Sequence, residues 1–284
     1  HPALTPRPDT SPPQPGHPMF VAQITDLHVA AAGSARDGAN AENATRLAEA
    51  VAHINRLEPR PDAVIVTGDL ADGPRPGEYD AIAPILGRLA MPVFAVPGNH
   101  DDRDGMRALF PGAAWMPADG FLHHVVDLGP LRIVMLDTLV PGQTAGHLCD
   151  DRLAWLAERL GEHPGPTIVA MHHPPFHVGV PFMDRVALEN PAPLEALVRG
   201  HGDVLAVVCG HVHRSATVGF AGTVGIAVPA IGHQLALEIG REEFPRWTLE
   251  PPVVALHLWT PGGGLVSHLS PVGPWAPRPF RRGI

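Results

Sequence analysis

The amino-acid sequence predicts an α/β sandwich of two mixed β-sheets flanked by helices. Two observations lead to this prediction. From residue 20 to Asp101, short apolar runs rich in β-branched residues alternate with amphipathic helical segments, which is typical of parallel strands covered by helices. Beyond His213, closely spaced β-like runs are joined by turns that contain glycine or proline, which favours antiparallel strands.

Five of the apolar runs have the composition of buried parallel strands. They cover residues 20–25, 63–67, 93–96, 167–171 and 204–209. Each run is closely followed by a residue type that binds metal ions. In open α/β sheets, ligands bind beyond the carboxyl ends of the strands, so we expect these five points of the chain to converge on one crevice.

The remaining elements are predicted from periodicity and turn residues. Pro84 is expected to make the second helix irregular, because proline removes a backbone donor. Short strands follow His213 and are predicted to be antiparallel. The predicted elements are helices over residues 41–57, 78–89, 103–110 and 150–160, a hairpin of residues 123–127 and 131–137, and strands over residues 216–220, 223–228, 234–239, 253–259 and 265–268.

Length and composition favour one large domain. The chain has 284 residues, of which 45% are hydrophobic and 17% charged, enough to bury a sizeable core. Residues 1–18 are rich in proline and are expected to be disordered or extended, so we predict a single domain over residues 19–284.

Composition also argues against two classes of partner. No apolar stretch approaches the roughly 20 residues that a membrane-spanning helix requires, and the first residues lack the pattern of an export signal. A cytoplasmic location is therefore expected.

The formal net charge of −9, without a long run of Lys and Arg, argues against nucleic acid as a partner.

The first two strings of polar residues offer oxygen and nitrogen ligands. Asp26 and His28 are two residues apart, so a turn after the strand would aim both side chains at one ion. Asp69 follows Gly68, which permits a sharp exit from a strand. The two oxygens of a carboxylate are able to bridge two ions. Taken alone, each string is also compatible with an ordinary polar loop.

The later strings add neutral ligands. Asn99 offers a carbonyl oxygen, and His172, His211 and His213 offer imidazoles, the commonest metal ligands among side chains. Neutral ligands beside two carboxylates leave a pair of divalent ions with net positive charge, which suits an anionic substrate. Singly, Asn99 fits a turn and each histidine fits a hydrogen-bonded loop.

Together the strings resemble the calcineurin-like metallophosphoesterase superfamily, whose pattern is Asp-x-His, Gly-Asp, Gly-Asn-His-Asp/Glu, His and Gly-His-x-His. The match spans residues 20–214. Asp69 would be the bridging ligand. The resemblance implies that one metal is bound by Asp26, His28, Asp69 and His213, and the other by Asp69, Asn99, His172 and His211.

Two such ions activate a bridging water, so a metal-bound hydroxide is predicted to attack phosphorus. His100 is predicted to protonate or orient the leaving alkoxide, in keeping with the role outside the ligand set that the resemblance implies for it. Asp101 is predicted to help hold the imidazole, with helix capping as the alternative. Manganese, iron, zinc and cobalt all suit these ligands, as divalent or mixed-valence ions.

A narrower resemblance is to bacterial class III cyclic nucleotide phosphodiesterases and glycerophosphodiesterases. It rests on residues 172–175, 182–184 and 209–214. It implies a phosphodiesterase for small diesters, such as cyclic nucleotides or glycerophosphodiesters, and a homodimer or larger assembly. The alternatives are a phosphomonoesterase or nuclease of the same superfamily, or a non-catalytic metal-binding scaffold. Asp72 stands where purple acid phosphatases have a metal-binding tyrosine.

Overall fold

A computed structural model describes residues 18–31, 40, 42–75, 77–275 and 278. The predicted extended segment over residues 1–18 lies outside the described residues except for Pro18. The helices are α1 (Asn43–Asn55), α2 (Glu78–Leu86), α3 (Arg103–Leu109), α4 (Asp150–Gly161), α5 (Pro181–Arg185) and α6 (Pro191–Gly200). The strands are β1 (Met19–Ile24), β2 (Ala63–Thr67), β3 (Val93–Val96), β4 (His124–Leu128), β5 (Leu131–Leu136), β6 (Thr167–Met171), β7 (Val204–Cys209), β8 (Ala216–Phe220), β9 (Thr223–Ala227), β10 (Gln234–Leu235), β11 (Trp247–Thr248), β12 (Val253–Thr260) and β13 (Gly264–Pro271).

Two large sheets confirm the predicted fold class. The first has the order β13-β12-β1-β2-β3, in which β1, β2 and β3 are parallel and β12 lies antiparallel to β1. The second has the order β4-β5-β6-β7-β9-β8, with a parallel centre and an antiparallel strand at each edge. Both sheets are therefore mixed.

The sheets pack face to face, and helices cover their outer faces. Side chains alternate along each strand, so Ile65 points into the layer between the sheets while Val64 and Val66 pack toward α1 and α2. In the second sheet, Ile133 lies in the same central layer and Val134 packs toward α4. Buried strands need apolar residues on both faces, which explains their continuous hydrophobic runs.

The chain after His213 departs from the predicted pattern. β9 pairs antiparallel with β8, but its other edge pairs parallel with β7. The strand predicted over residues 234–239 is confined to Gln234–Leu235. Helices α5 and α6 were not predicted, and proline in a helix interior is unfavourable. Both helices instead carry proline in the first turn, where its missing N–H costs nothing.

None of the helices in the described part of the chain is long and apolar enough to cross a membrane.

The single domain over residues 19–284 stays a prediction.

A buried polar chain crosses the first sheet beside the central layer. His257 on β12 contacts Gln23 on β1 through Nε2 (2.9 Å) and Ser267 on β13 through Nδ1 (2.8 Å). The amide of Gln23 donates to Thr67, so its oxygen accepts from His257 Nε2–H and the neutral ring accepts from Ser267. Burial lowers the pKa of His257 from 6.5 to about 4.

This buried imidazole makes stability depend on pH. Because the folded pKa lies below the unfolded value, the unfolded state binds the proton more readily below pH 6.5. The His257 contribution is complete above pH 6.5 and is lost as the pH falls toward 4, by about 3 kcal/mol. Urea denaturation should show a shallower pH dependence for His257→Gln than for the wild type. The exposed His268→Gln serves as control, and equal slopes in both variants would contradict the assignment.

Candidate metal centre

The polar side chains after five strands converge, as the sequence predicts. Asp26 and His28 follow β1, Asp69 follows β2, and Asn99 follows β3 in the first sheet. The second sheet contributes His172 after β6 and His211 and His213 after β7. The ligand atoms of Asp26, His28 and His213 lie within 4.8 Å of one another, as do those of Asp26, Asp69 and His172.

The backbone is left-handed at most of these residues. Five of the six described non-glycine residues with positive φ are predicted ligands. L-residues pay a steric cost in this region, which is retained only where the surroundings and the function require it. The left-handed turns send Asp26 and His28 of one string, and His211 and His213 of another, toward the same point. Their φ values are 51° for Asp26, 43° for His28, 51° for Asp69, 71° for His211 and 53° for His213.

The first group of ligands centres on two imidazoles. The Nε2 atoms of His28 and His213 are 3.1 Å apart. His213 Nδ1–H donates to the carbonyl of His233 at 2.7 Å, so its neutral ring presents a bare Nε2. Asp26 Oδ1 lies 3.3 Å from that nitrogen, and Asp69 Oδ2 lies 3.5 Å from His28 Nε2. Facing nitrogens beside two carboxylates fit a shared cation.

The second group shares Asp69 with the first. His172 Nε2 lies 3.3 Å from Asp69 Oδ2 and 3.2 Å from Asn99 Oδ1. Its Nδ1–H donates to the carbonyl of Thr67 at 2.7 Å, which leaves Nε2 free. His211 is held the other way round: Nε2–H donates to the carbonyl of Val186 at 3.0 Å, which leaves Nδ1 free. Asp69 thus stands between the two groups.

The buried carboxylates of the site favour a bound cation. Burial disfavours the carboxylate of Asp26, but His213 and His172 outweigh burial and lower its pKa to about 2. Burial likewise opposes protonation of His172, yet the carboxylate of Asp69 raises the pKa of this imidazole to about 9. Without metal, protons on imidazoles supply the positive charge that the carboxylates attract. The seven predicted ligands therefore fit a pair of metal ions.

Glycines allow the ligands to approach the backbone. A Cβ atom at Gly68 would stand 2.4 Å from His172 Nδ1, and one at Gly98 would stand 2.1 Å from Asp69 Oδ1. A Cβ at Gly210 would lie 2.8 Å from Asp26 Oδ2. These three glycines precede ligands in the sequence, and each also makes room for a ligand from another strand.

Replacement of Gly98 by alanine should therefore damage the metal site. The new methyl group would overlap the carboxylate of Asp69 and push it from its position, so we expect about 10- to 100-fold weaker metal binding. Gly200→Ala is the matched control, because its added Cβ meets nothing within 4 Å. Calorimetric titration with Mn²⁺ measures the difference, and wild-type affinity in Gly98→Ala would refute the steric argument.

His100 and Asp101 occupy different parts of the site. His100 Nδ1–H donates to the carbonyl of Asp72 at 2.8 Å, and its ring lies edge-on to His28 at 4.7 Å between centroids. Burial opposes its charge, but Asp69 and Asp72 raise the pKa of His100. The carboxylate of Asp101 accepts instead from backbone N–H groups, and Asp102 rather than Asp101 caps α3. The carbonyl of Asp72 thus holds the imidazole that Asp101 was expected to hold.

Three residues around the site make contacts that were not predicted from the sequence. The Asp72 carbonyl holds His100, and the His233 carbonyl holds His213. Asn40 joins them, because its Oδ1 accepts from His233 Nδ1 at 3.0 Å and its amide donates to the Asp72 carboxylate. The position of Asp72 three residues after Asp69 was the one available signal, since no motif marks Asn40 or His233.

His173 is buried next to His172 but is hydrogen-bonded on both ring nitrogens. Nε2 donates to the carbonyl of Thr144 at 3.1 Å, and Nδ1 accepts from the hydroxyl of Thr138 at 2.7 Å. Its ring packs 4.7 Å from that of His211. Both ring nitrogens of His173 therefore have hydrogen-bond partners within the protein.

Comparisons with known proteins identify relatives that match most of this chain. A probable glycerophosphodiester phosphodiesterase, GpdQ, of Arcobacter nitrofigilis is 34% identical over 266 residues, which cover 92% of this chain and 97% of the relative. A probable cyclic nucleotide phosphodiesterase of Rhodopseudomonas palustris is 36% identical over 251 residues, with 86% and 89% covered.

Structural similarity extends to more distant proteins. The fold matches a dimetal phosphatase from Danio rerio with a TM-score of 0.63 at 15% identity, covering 90% of this chain and 99% of that one. The family model described as calcineurin-like phosphoesterase matches residues 19–215, which include all seven predicted ligands. The chain therefore belongs to the calcineurin-like phosphoesterase family.

Proposed function

We propose that this protein is a dinuclear metal-dependent phosphodiesterase that hydrolyses small phosphodiesters, either cyclic nucleotides or glycerophosphodiesters. The observation that carries the proposal is the convergence of two carboxylates, an amide and four imidazoles on one point beyond the strand ends. Family membership and the names of the relatives support the same reaction class.

Each side chain has a role in holding the ions. In the proposed centre, Asp26, His28 and His213 bind one ion, and Asn99, His172 and His211 bind the other, with Asp69 shared. Such a pair supplies Lewis acidity toward phosphoryl oxygens and a means of activating water at neutral pH. The backbone carbonyls of Thr67, Val186 and His233 fix three of the imidazoles, so little reorganisation is needed when substrate binds. We propose manganese, iron, zinc or cobalt as the ions, because the ligands are mixed nitrogen and oxygen donors.

His100 is proposed to give a proton to the leaving alkoxide. Its Nδ1–H is engaged with the Asp72 carbonyl, so Nε2 is the atom that carries the transferable proton. The neighbouring carboxylates that raise the pKa of this imidazole favour its protonated form. The backbone N–H of His100 donates to Asp69 at 2.9 Å, which keeps the ring close to the shared ligand.

Loss of this proton donor should depend on the leaving group. We expect His100→Asn to lower kcat about 10²-fold for a glycerophosphodiester, because an alkoxide must be protonated as it leaves. For bis(p-nitrophenyl) phosphate the loss should be far smaller, since nitrophenolate leaves as the anion. Steady-state rates at saturating Mn²⁺ distinguish the two. An equal loss on both substrates, with reduced metal content, would show that His100 supports metal binding instead.

The proposed reaction is tested with metal-free protein. After treatment with a chelator, we expect no turnover of bis(p-nitrophenyl) phosphate, and recovery when Mn²⁺, Fe²⁺, Zn²⁺ or Co²⁺ is added. The diester should be cleaved faster than p-nitrophenyl phosphate. Cyclic AMP and glycerophosphoethanolamine then separate the two substrate classes.

Three outcomes would overturn this proposal. Faster cleavage of the monoester would identify a phosphomonoesterase of the same family. Absence of bound metal and of turnover after reconstitution would favour a non-catalytic scaffold, the interpretation that the ligand set argues against. Cleavage of single-stranded DNA in preference to small diesters would identify a nuclease.

We also propose a cytoplasmic location and self-association. Cys149 and Cys209 are both unpaired, which suits a reducing compartment.

Five of the eight exposed large apolar side chains in the described chain lie between residues 237 and 249, a concentration typical of an interface. Light scattering after gel filtration tests assembly: a dimer or larger species is expected, and a monomer at all concentrations would contradict it.

A further inference from the structure

The carboxylate of Asp101 connects the two loops that carry Asp69 and Asn99. It accepts from the N–H of Leu70 at 3.1 Å and of Ala71 at 3.1 Å, which directly follow Asp69. It also accepts from the N–H of Gly98 at 3.0 Å, which precedes Asn99. Asp101 is 5% exposed, so these bonds are shielded from water. One buried carboxylate therefore fixes the distance between two predicted ligands.

Tyr79, the only tyrosine in the chain, forms a hydrogen bond to this carboxylate. Its hydroxyl donates to Asp101 Oδ1 at 3.1 Å and accepts from the N–H of Asp102 at 3.0 Å. The ring comes from α2 and packs against the start of α3, where a Cβ at Gly105 would stand 2.2 Å from it. The hydroxyl thus ties both helices to the loops of the metal centre.

We propose that Tyr79 is a positioning residue which, through Asp101, sets the placement of Asp69 and Asn99 and thereby the affinity of the ion that Asn99 binds. The other ion shares Asp69 but has three further predicted ligands, Asp26, His28 and His213, and the side chains of Asp26 and His213 are held by contacts that do not involve Asp101. The effect should therefore fall on one ion more than on the other. The inference itself concerns metal affinity. Only its expected effect on turnover rests on the proposed function.

Tyr79→Phe tests the proposal, because it keeps the ring against Gly105 and removes only the hydroxyl. Metal-free protein is titrated with Mn²⁺ by calorimetry, and the binding step that disappears in Asn99→Ala is assigned to the second ion. We expect that step to weaken about 10-fold in Tyr79→Phe, and more in Asp101→Asn, while the other step, which shares only Asp69 with it, should weaken less. At saturating Mn²⁺ the kcat of Tyr79→Phe should return to the wild-type value.

A matched control removes one hydroxyl elsewhere. Thr223 donates to the carbonyl of Leu205 at 2.6 Å at the β8–β9 turn, so Thr223→Val loses a comparable bond away from the site. If Tyr79→Phe lowers the melting temperature of the metal-free protein as the control does, and leaves both Mn²⁺ affinities unchanged, the hydroxyl is merely structural and the proposal is wrong. If the wild type binds Mn²⁺ in two steps but cleaves no phosphoester, the proposed function fails while this inference is still decided by the titration.

Discussion

Asp69→Asn is expected to lower kcat about 10³-fold and to reduce the bound metal from two ions to one or none. Oδ2 of Asp69 lies near both His28 Nε2 and His172 Nε2, so it is the ligand atom that both groups share. An asparagine presents a neutral amide oxygen, which bridges two cations far less well than a carboxylate oxygen does. A loss of about 4 kcal/mol of transition-state stabilisation corresponds to about three powers of ten in rate. Elemental analysis and steady-state rates measure the two effects.

A carboxylate remote from the site supplies the control. Asp127 lies on the β4–β5 hairpin and pairs with Arg132 at the surface, so Asp127→Asn should keep both ions and the wild-type rate. Two bound ions in Asp69→Asn would show that this residue does not bridge. Full metal content together with a strongly reduced rate would assign Asp69 to catalysis alone, contrary to its proposed role.

Asp137→Asn should destabilise the fold by about 3–5 kcal/mol, because it removes one partner of a buried ion pair. Asp137 is fully buried, and it accepts from Arg103 Nε at 2.7 Å and from the N–H of Leu122 at 2.8 Å. Its backbone carbonyl also accepts from Arg152, which is itself 4% exposed. Without the carboxylate, buried guanidinium charge is left uncompensated. Urea denaturation measures the change in the free energy of unfolding.

The Asp127–Arg132 pair separates burial from charge pairing. It too is an aspartate bonded through both oxygens to an arginine, but its carboxylate is 56% exposed. Exposed pairs contribute little, so Asp127→Asn should cost less than about 1 kcal/mol. Similar destabilisation in the two variants would mean that Arg103 and Arg152 are not held by Asp137 as described.

Several elements followed directly from local sequence. Val-Ile-Val-Thr-Gly-Asp contains both the strand β2 and the turn that presents Asp69, because β-branched residues favour strands and Gly68 takes a φ of 96°. The helix predicted over residues 103–110 is observed as Arg103–Leu109, and the hairpin at residues 123–137 is confirmed. These signals lie within a few residues of each other along the chain, so propensity and turn chemistry are sufficient.

Other features depend on segments that are far apart in sequence. β12 lies beside β1, with Trp259 opposite Met19, and nothing in either segment encodes the partner. The parallel pairing of β9 with β7 was missed for the same reason, since a hairpin signal says nothing about the second edge of a strand. The role of Asp101 was also assigned by proximity to His100, whereas its partners belong to the loop after β2.

The sequence by itself determined which residue types are available as ligands, their order, and their positions after strands. It did so because metal-binding chemistry depends on side-chain identity, and strand ends are marked locally. Only the tertiary structure decided which nitrogen of each imidazole is free, which carbonyls fix the rings, and that Tyr79 and Asp101 connect two ligand loops. Those contacts are hydrogen bonds of about 3 Å between distant segments, and such distances exist only once the two sheets and their helices have packed together.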